Sequence, residues 1–232
     1  AVAEEAKDFG AIGEEILFAA RNELYMNLPY LDVALCGLRF APGDEVTLSI
    51  ATDGQTLYYS GSWLAERYLR ARVLTNRAYL HVILHCMLRH LAKKRGKAAE
   101  LWDLACDAAV ESMLDELDYP CLAGGFVPAK QKFYGECRAE MPVLTAEGIY
   151  DALQNMNLNE RQYERMAEEF LVDDHELWYE DQTRSQAIPR QGRWKDNREK
   201  MQTEMEARST ETSQNEEDSG LLEQVQVENR ER

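Results

Sequence analysis

Two histidines, His81 and His85, stand one helical turn apart inside the apolar run Leu80-His81-Val82-Ile83-Leu84-His85-Cys86-Met87-Leu88. Side chains four residues apart leave the same face of a helix, so both imidazoles aim at one place. Such a pair is either two core histidines bonded to backbone carbonyls or an acidic residue, or two ligands of one metal ion. The rest of the chain has to supply whatever those rings face.

The spacing matches the helix of zinc peptidases, where His-Glu-x-x-His places two of three protein ligands. Here the glutamate position holds Val82. The ligand pair is present and the usual general base is missing. A third donor is expected from the next helical run, where Asp103, Asp107 and Glu111 recur at four-residue spacing. Asp107 is singled out because it sits in Leu104-Ala105-Cys106-Asp107-Ala108-Ala109-Val110, and a carboxylate buried there is expensive unless paired or bound to a metal. The short connection after the His helix favours antiparallel packing of the two segments. Glu111 fits a fourth ligand, an acceptor for an imidazole N–H, or an exposed residue. His90, five residues past His85, is rotated off the face and reads as structural or surface. His175, in Asp173-Asp174-His175-Glu176, reads as an exposed loop residue that reaches the site only if the C-terminal segment folds back.

Helical periodicity covers about 10–38, with Pro29 splitting the run. Val46 to Thr52 and Thr56 to Tyr59 flank Asp53-Gly54, the signature of a hairpin. Further helices are expected over about 62–71, 75–95 (capped by Thr75 and closed by Gly96), 98–117, 145–155 and 159–170. Pro120 to Pro142, with Gly124-Gly125, reads as a loop or flap with little regular structure. Residues 1–180 thus form one domain, and 181–232 a charged tail, disordered in part or helical.

A formal net charge of −16 argues against a nucleic-acid surface. The basic run Lys93-Lys94-Arg95-Gly96-Lys97 reads as helix C-terminal capping. No apolar run is long enough for a membrane span and nothing reads as a secretory signal. Five scattered cysteines without a Cys-x-x-Cys pair point to a reducing, cytoplasmic setting. The chain begins at an alanine, as a piece of a longer protein does.

Several blocks in order resemble one bacterial family: Ala51-Thr52-Asp53-Gly54, Asn76 through His90, Leu101-Trp102-Asp103-Leu104-Ala105-Cys106-Asp107, Leu144 through Tyr150, and Asp173 through Trp178. The family is the putative metallopeptidase domain of unknown function that precedes a von Willebrand factor A-like domain. The resemblance implies an α+β, zincin-like fold, a small sheet or hairpin packed on helices that include the His-x-x-x-His helix. By position it implies metal ligation by His81, His85 and Asp107, with zinc as the ion. It also implies a protein or peptide substrate or partner and a C-terminal von Willebrand factor A-like domain.

Valine at 82 cannot shuttle the proton that a zincin glutamate carries, a loss of about 10²–10⁴-fold in rate. A replacement base would have to come from Glu111, Glu136 or His175. The expected function is therefore a divalent-metal-binding, metallopeptidase-like domain of doubtful hydrolytic activity. The rival is a non-catalytic interaction module in which the metal is structural, or absent with His81 and Asp107 as a buried hydrogen-bonded pair.

Overall fold

The first helix, α1 (Val2–Asn27), is stopped at Pro29, which opens a 3-10 turn, and a short α2 (Asp32–Leu35) follows. The computed structural model describes residues 2–179 apart from 126 and 157, with side chains described from residue 9. The charged tail expected over 181–232 lies outside the described residues.

Three short strands come next: β1 (Arg39–Pro42), β2 (Ile50–Thr52) and β3 (Thr56–Tyr59). The expected hairpin is β2–β3, antiparallel with Ala51 opposite Tyr58. Gly54 takes φ 85° at its turn, and the Asp53 carboxylate accepts from the backbone N–H of Gln55 and Thr56. β1 joins the other side of β3 in parallel, giving the order β1-β3-β2.

Four helices then build the framework of the site: α3 (Gly61–Arg70), α4 (Arg72–Leu88), α5 (His90–Lys93) and α6 (Ala99–Glu116). α1 packs on α3 and α4. The approach of α1 to α3 requires small residues: a Cβ on Gly61 would collide with the Phe9 carbonyl, and one on Gly13 would press into the Tyr59 ring. Every residue of α4 from Thr75 to His85 is buried, which is why the segment lacks a polar stripe.

Two expectations for α4 are corrected. The helix begins at Arg72, so Thr75 lies inside it and its hydroxyl donates back to the Arg72 carbonyl instead of capping. The helix also ends at Leu88 rather than near 95, because Arg89 turns left-handed at φ 62° and restarts the chain as α5.

The stretch read as a flap contains α7 (Pro128–Arg138), with Pro128 in its first turn. α8 (Ala146–Asn155) is capped by Thr145 and α9 (Glu160–Phe170) by an Asn159–Gln162 capping box, both as their sequences predict. Phe133, Tyr134, Ile149, Leu153 and Phe170 close a second core over Trp102 and Ala105 of α6. A last turn, α10 (Glu176–Tyr179), follows Asp174, whose backbone bridges to Ala51 at the free edge of β2. The fold is α+β, with the small sheet packed on helices that include the one carrying His81 and His85. No described helix is long and apolar enough to cross a membrane, and none of the five cysteines is joined in a disulfide.

Candidate metal centre

α4 and α6 run antiparallel, as the short connection predicts: Arg77 meets Glu111 and Asp115, His81 meets Asp107 and Glu111, and the His90 carbonyl meets Trp102. His81 and His85 stand side by side with Nε2 atoms 2.7 Å apart. Asp107 Oδ1 faces both, at 3.4 Å from His81 Nε2 and 3.3 Å from His85 Nε2. The three residues singled out from the sequence therefore converge.

A fourth donor, Asp173, was not expected. Its Oδ1 lies 3.2 Å from His81 Nε2 and 3.8 Å from His85 Nε2. Ligand atoms of His81, His85, Asp107 and Asp173 all fall within 4.8 Å of one another, and all four residues are buried. The sheet puts Asp173 there. Asp174 N–H donates to the Ile50 carbonyl (2.8 Å), so residues 173–175 follow the β2 edge. Alternation along an extended segment then sends Asp173 and His175 to the same side. The one sequence signal was the two-residue spacing in Asp173-Asp174-His175.

His175 is accordingly not an exposed loop residue: it is 7% exposed and stacked on Trp178 with ring centroids 3.6 Å apart. Its Nε2 lies 3.1 Å from Asp173 Oδ1 and 3.2 Å from Asp107 Oδ1, and Nδ1 lies 3.5 Å from Asp103 Oδ1. It contacts both carboxylates, and its ring also meets that of His85 edge-on with centroids 5.0 Å apart. Glu111 takes the second of the three roles open to it, since its Oε1 accepts from His81 Nδ1 (2.9 Å) while Oε2 accepts from Arg77 (2.9 Å) and Lys130 (2.8 Å). His90 is structural, yet the left-handed turn at Arg89 swings it back to His85, Nδ1 to Nδ1 at 2.9 Å. Glu136 lies on the surface of α7, 3.8 Å from Lys132.

The Nδ1 partners bear on the tautomers. Glu111 accepts, so His81 Nδ1 carries a hydrogen, and in the neutral ring Nε2 presents a lone pair. Burial, followed by the neighbouring His85, lowers the His90 pKa to about 2, so that ring is neutral and its Nδ1 can accept from His85. A hydrogen on His85 Nδ1, donated to His90, leaves the His85 Nε2 lone pair facing the same spot. Two lone pairs and two carboxylate oxygens converging in a buried space repel one another unless a proton or a metal cation lies among them.

The donor set fits a divalent metal on three counts. Tetrahedral ligands at about 2.0–2.1 Å from zinc are about 3.3 Å apart, and four of the measured separations run from 3.2 to 3.8 Å, with the two nitrogens closer. Asp173 Oδ2 is buried with no hydrogen-bond partner. Each imidazole is oriented through Nδ1 by a polar neighbour, as metal-ligating histidines are.

The charges agree with this. Burial alone would raise the Asp173 carboxyl, but His175, His85 and His81 hold it well below the usual range. Asp107 is likewise lowered against its burial, by His175 first. Burial would lower His81, yet Asp173, Asp107 and Glu111 raise it well above an ordinary histidine. His85 is lowered instead, by its burial first and then by His81 with Nε2 2.7 Å away, against the pull of Asp173.

No solved structure matches the chain. An uncharacterized protein of Thermotoga maritima is 28% identical over 111 residues, which is 45% of this chain and 27% of that protein. The chain thus matches about a quarter of that relative's length, and the relative's name assigns no activity. The profile of the family described as "Putative metallopeptidase domain" matches residues 14–231. With a buried His-x-x-x-His pair joined by Asp107 and Asp173, the chain belongs to that family.

Proposed function

We propose that this protein is a zinc-binding but non-hydrolytic metallopeptidase-like domain, in which His81, His85 and Asp107, joined by Asp173, hold the ion in a closed shell. The carrying observation is the fourth donor. Catalytic zinc sites keep three protein ligands and leave one position for water, whereas four protein donors are the arrangement of structural sites. His81 and His85 are fully buried, and Asp173 and Asp107 nearly so. Imidazoles with carboxylates at tetrahedral spacing favour zinc over magnesium or calcium, which take oxygen ligands at higher coordination number.

Two further observations support the absence of hydrolysis. None of the three replacement bases is available: Glu111 is held to a low pKa, against its burial, by His81, Lys130 and Arg77; His175 is bonded to both carboxylates; Glu136 is on the surface. The free edge of β2, where a peptide strand could add, is taken by Asp174 of the chain itself. The ion would supply cross-linking of α4, α6 and the segment after α9. The metal-free alternative leaves the Asp173 oxygen unsatisfied and rests on a 3.4 Å contact between His81 and Asp107, too long for a strong bond. A protein or peptide partner, not a scissile substrate, goes with this reading.

Elemental analysis of the full chain purified without added metal should find one zinc per chain, absent from His81→Ala. Hydrolysis of casein and of a quenched fluorescent peptide library should be no faster with zinc than with chelator. Metal-dependent cleavage lost in His81→Ala would show the domain to be an enzyme; substoichiometric zinc in the native chain would remove the site.

A further inference from the structure

One turn away from the metal donors, on the Nδ1 side of His81, lies a cavity of about 170 Å³. Three cations line it, Arg67, Arg77 and Lys130, with two carboxylates, Glu111 and Asp115. Its remaining wall is largely aliphatic, from Leu74, Ala78, Val127 and Val172.

The ions do not cancel. Arg77 reaches both carboxylates, at 2.9 Å from Glu111 and 2.7 Å from Asp115, and Lys130 reaches Glu111 at 2.8 Å. Two cations thus satisfy two anions. Arg67 is left over: among the described residues its one contact of this kind is the Trp63 ring, 4.1 Å below its guanidinium. Stacking on an indole one helical turn away holds the guanidinium plane and leaves its N–H edges free to donate. Burial pulls the Arg67 pKa down, and Glu111 and Glu66 only partly oppose it.

We infer that this cavity binds a carboxylate carried on a short aliphatic group, with Arg67 gripping the carboxylate and the Leu74–Ala78 wall taking the aliphatic part. The size agrees. A cavity of about 150 Å³ holds a benzene-sized molecule, so this one has room for a C-terminal valine side chain or a small branched acid. The aliphatic wall favours this ligand over phosphate, which has no apolar part to bury. The planar fork of Arg67 matches a carboxylate in a two-bond arrangement. Arg67 is none of the metal donors, so this site and the zinc reading can fail separately.

The test is titration of the full chain, followed by NMR or calorimetry, with N-acetyl-glycyl-valine as the free acid, the same dipeptide as its C-terminal amide, isovalerate and inorganic phosphate. The free acid should bind saturably, and the amide at least about tenfold more weakly, from the loss of one charge-assisted contact. Arg67→Gln should weaken the free acid to a similar degree while keeping the native melting temperature. Isovalerate matching the dipeptide would identify a small acid as the ligand; a clear preference for the dipeptide would identify a chain terminus. The inference is overturned if acid and amide bind alike, if Arg67→Gln binds the acid undiminished, if phosphate outcompetes the acid, or if no probe saturates.

Discussion

Replacing Asp173 with alanine separates a closed metal site from a three-ligand one. Removing a group that merely orients a metal ligand costs about 10–100-fold in affinity, and a donor belongs at the upper end of that range. Suppose free zinc is buffered at 100 times the wild-type Kd. Binding then stabilises the wild type by about 2.7 kcal/mol, whereas a hundredfold weaker variant sits at its own Kd and gains about 0.4 kcal/mol. For a domain of this size 1 kcal/mol moves Tm by about 2–4 °C, so chelation should lower the wild-type Tm by about 5–11 °C and that of Asp173→Ala by about 1–2 °C. Differential scanning calorimetry with and without chelator reads both increments. Comparing each protein with its own metal-free form removes the separate cost of losing the Asp173 contact to His175 (3.1 Å). An equal chelator-sensitive increment in the two proteins would mean that Asp173 is no donor, and the closed-shell reasoning would fall with it.

Glu111→Gln should weaken zinc by about 10–100-fold without touching a donor, because it disturbs the orientation of His81; competition with a chromophoric chelator measures this. The same carboxyl is held below its ordinary pKa, so its stabilising contribution is present above the unfolded value of about 4.3 and lost as pH falls toward the folded value. Tm of the metal-free protein should therefore drop steeply below about pH 4, less steeply in Glu111→Gln, and identical acid limbs would contradict the assignment. Gly61→Ala should cost about 1–3 kcal/mol in denaturant unfolding, since its Cβ meets the Phe9 backbone where α1 approaches α3.

His81, His85 and Asp107 were legible because all three sit on helices, where a period of 3.6 residues turns spacing into direction. Asp173 and His175 were not, because a backbone bridge to Ala51 positions them, more than 120 residues away in sequence, and no local period encodes that pairing. Their block of acids around one histidine has the composition of a solvated loop. His90 was correctly kept off the His81–His85 face, but its return to His85 depends on a left-handed Arg89, a conformation arginine rarely announces. α7 was hidden by punctuation, since Gly124-Gly125 and Pro128 read as loop although a proline in a first turn also starts helices. β1 is only four residues, Arg39-Phe40-Ala41-Pro42, and owes its existence to β3 beside it.

The charges around α4 sort into closed accounts that connect the two sites. Glu111 and Asp115 are matched by Arg77 and Lys130, all within 3 Å. Asp107 and Asp173 have no lysine or arginine partner among the described residues; only imidazoles face them. In metal-free protein those two negative charges are balanced by protons on His81 and His175, which is why both rings are raised well above their ordinary pKa although burial opposes it. A divalent cation among the four donors balances the same two carboxylates and returns His81 to the neutral tautomer that Glu111 already selects. Buried carboxylates left unpaired in a core are costly, and a helix as enclosed as α4 has no solvent-facing route for relief. Valine at position 82 carries no proton, and this balance does not depend on it. The proposed metal thus serves stability without hydrolysis, and among the described residues lining the cavity Arg67 stands out as the one cation that the balance does not use.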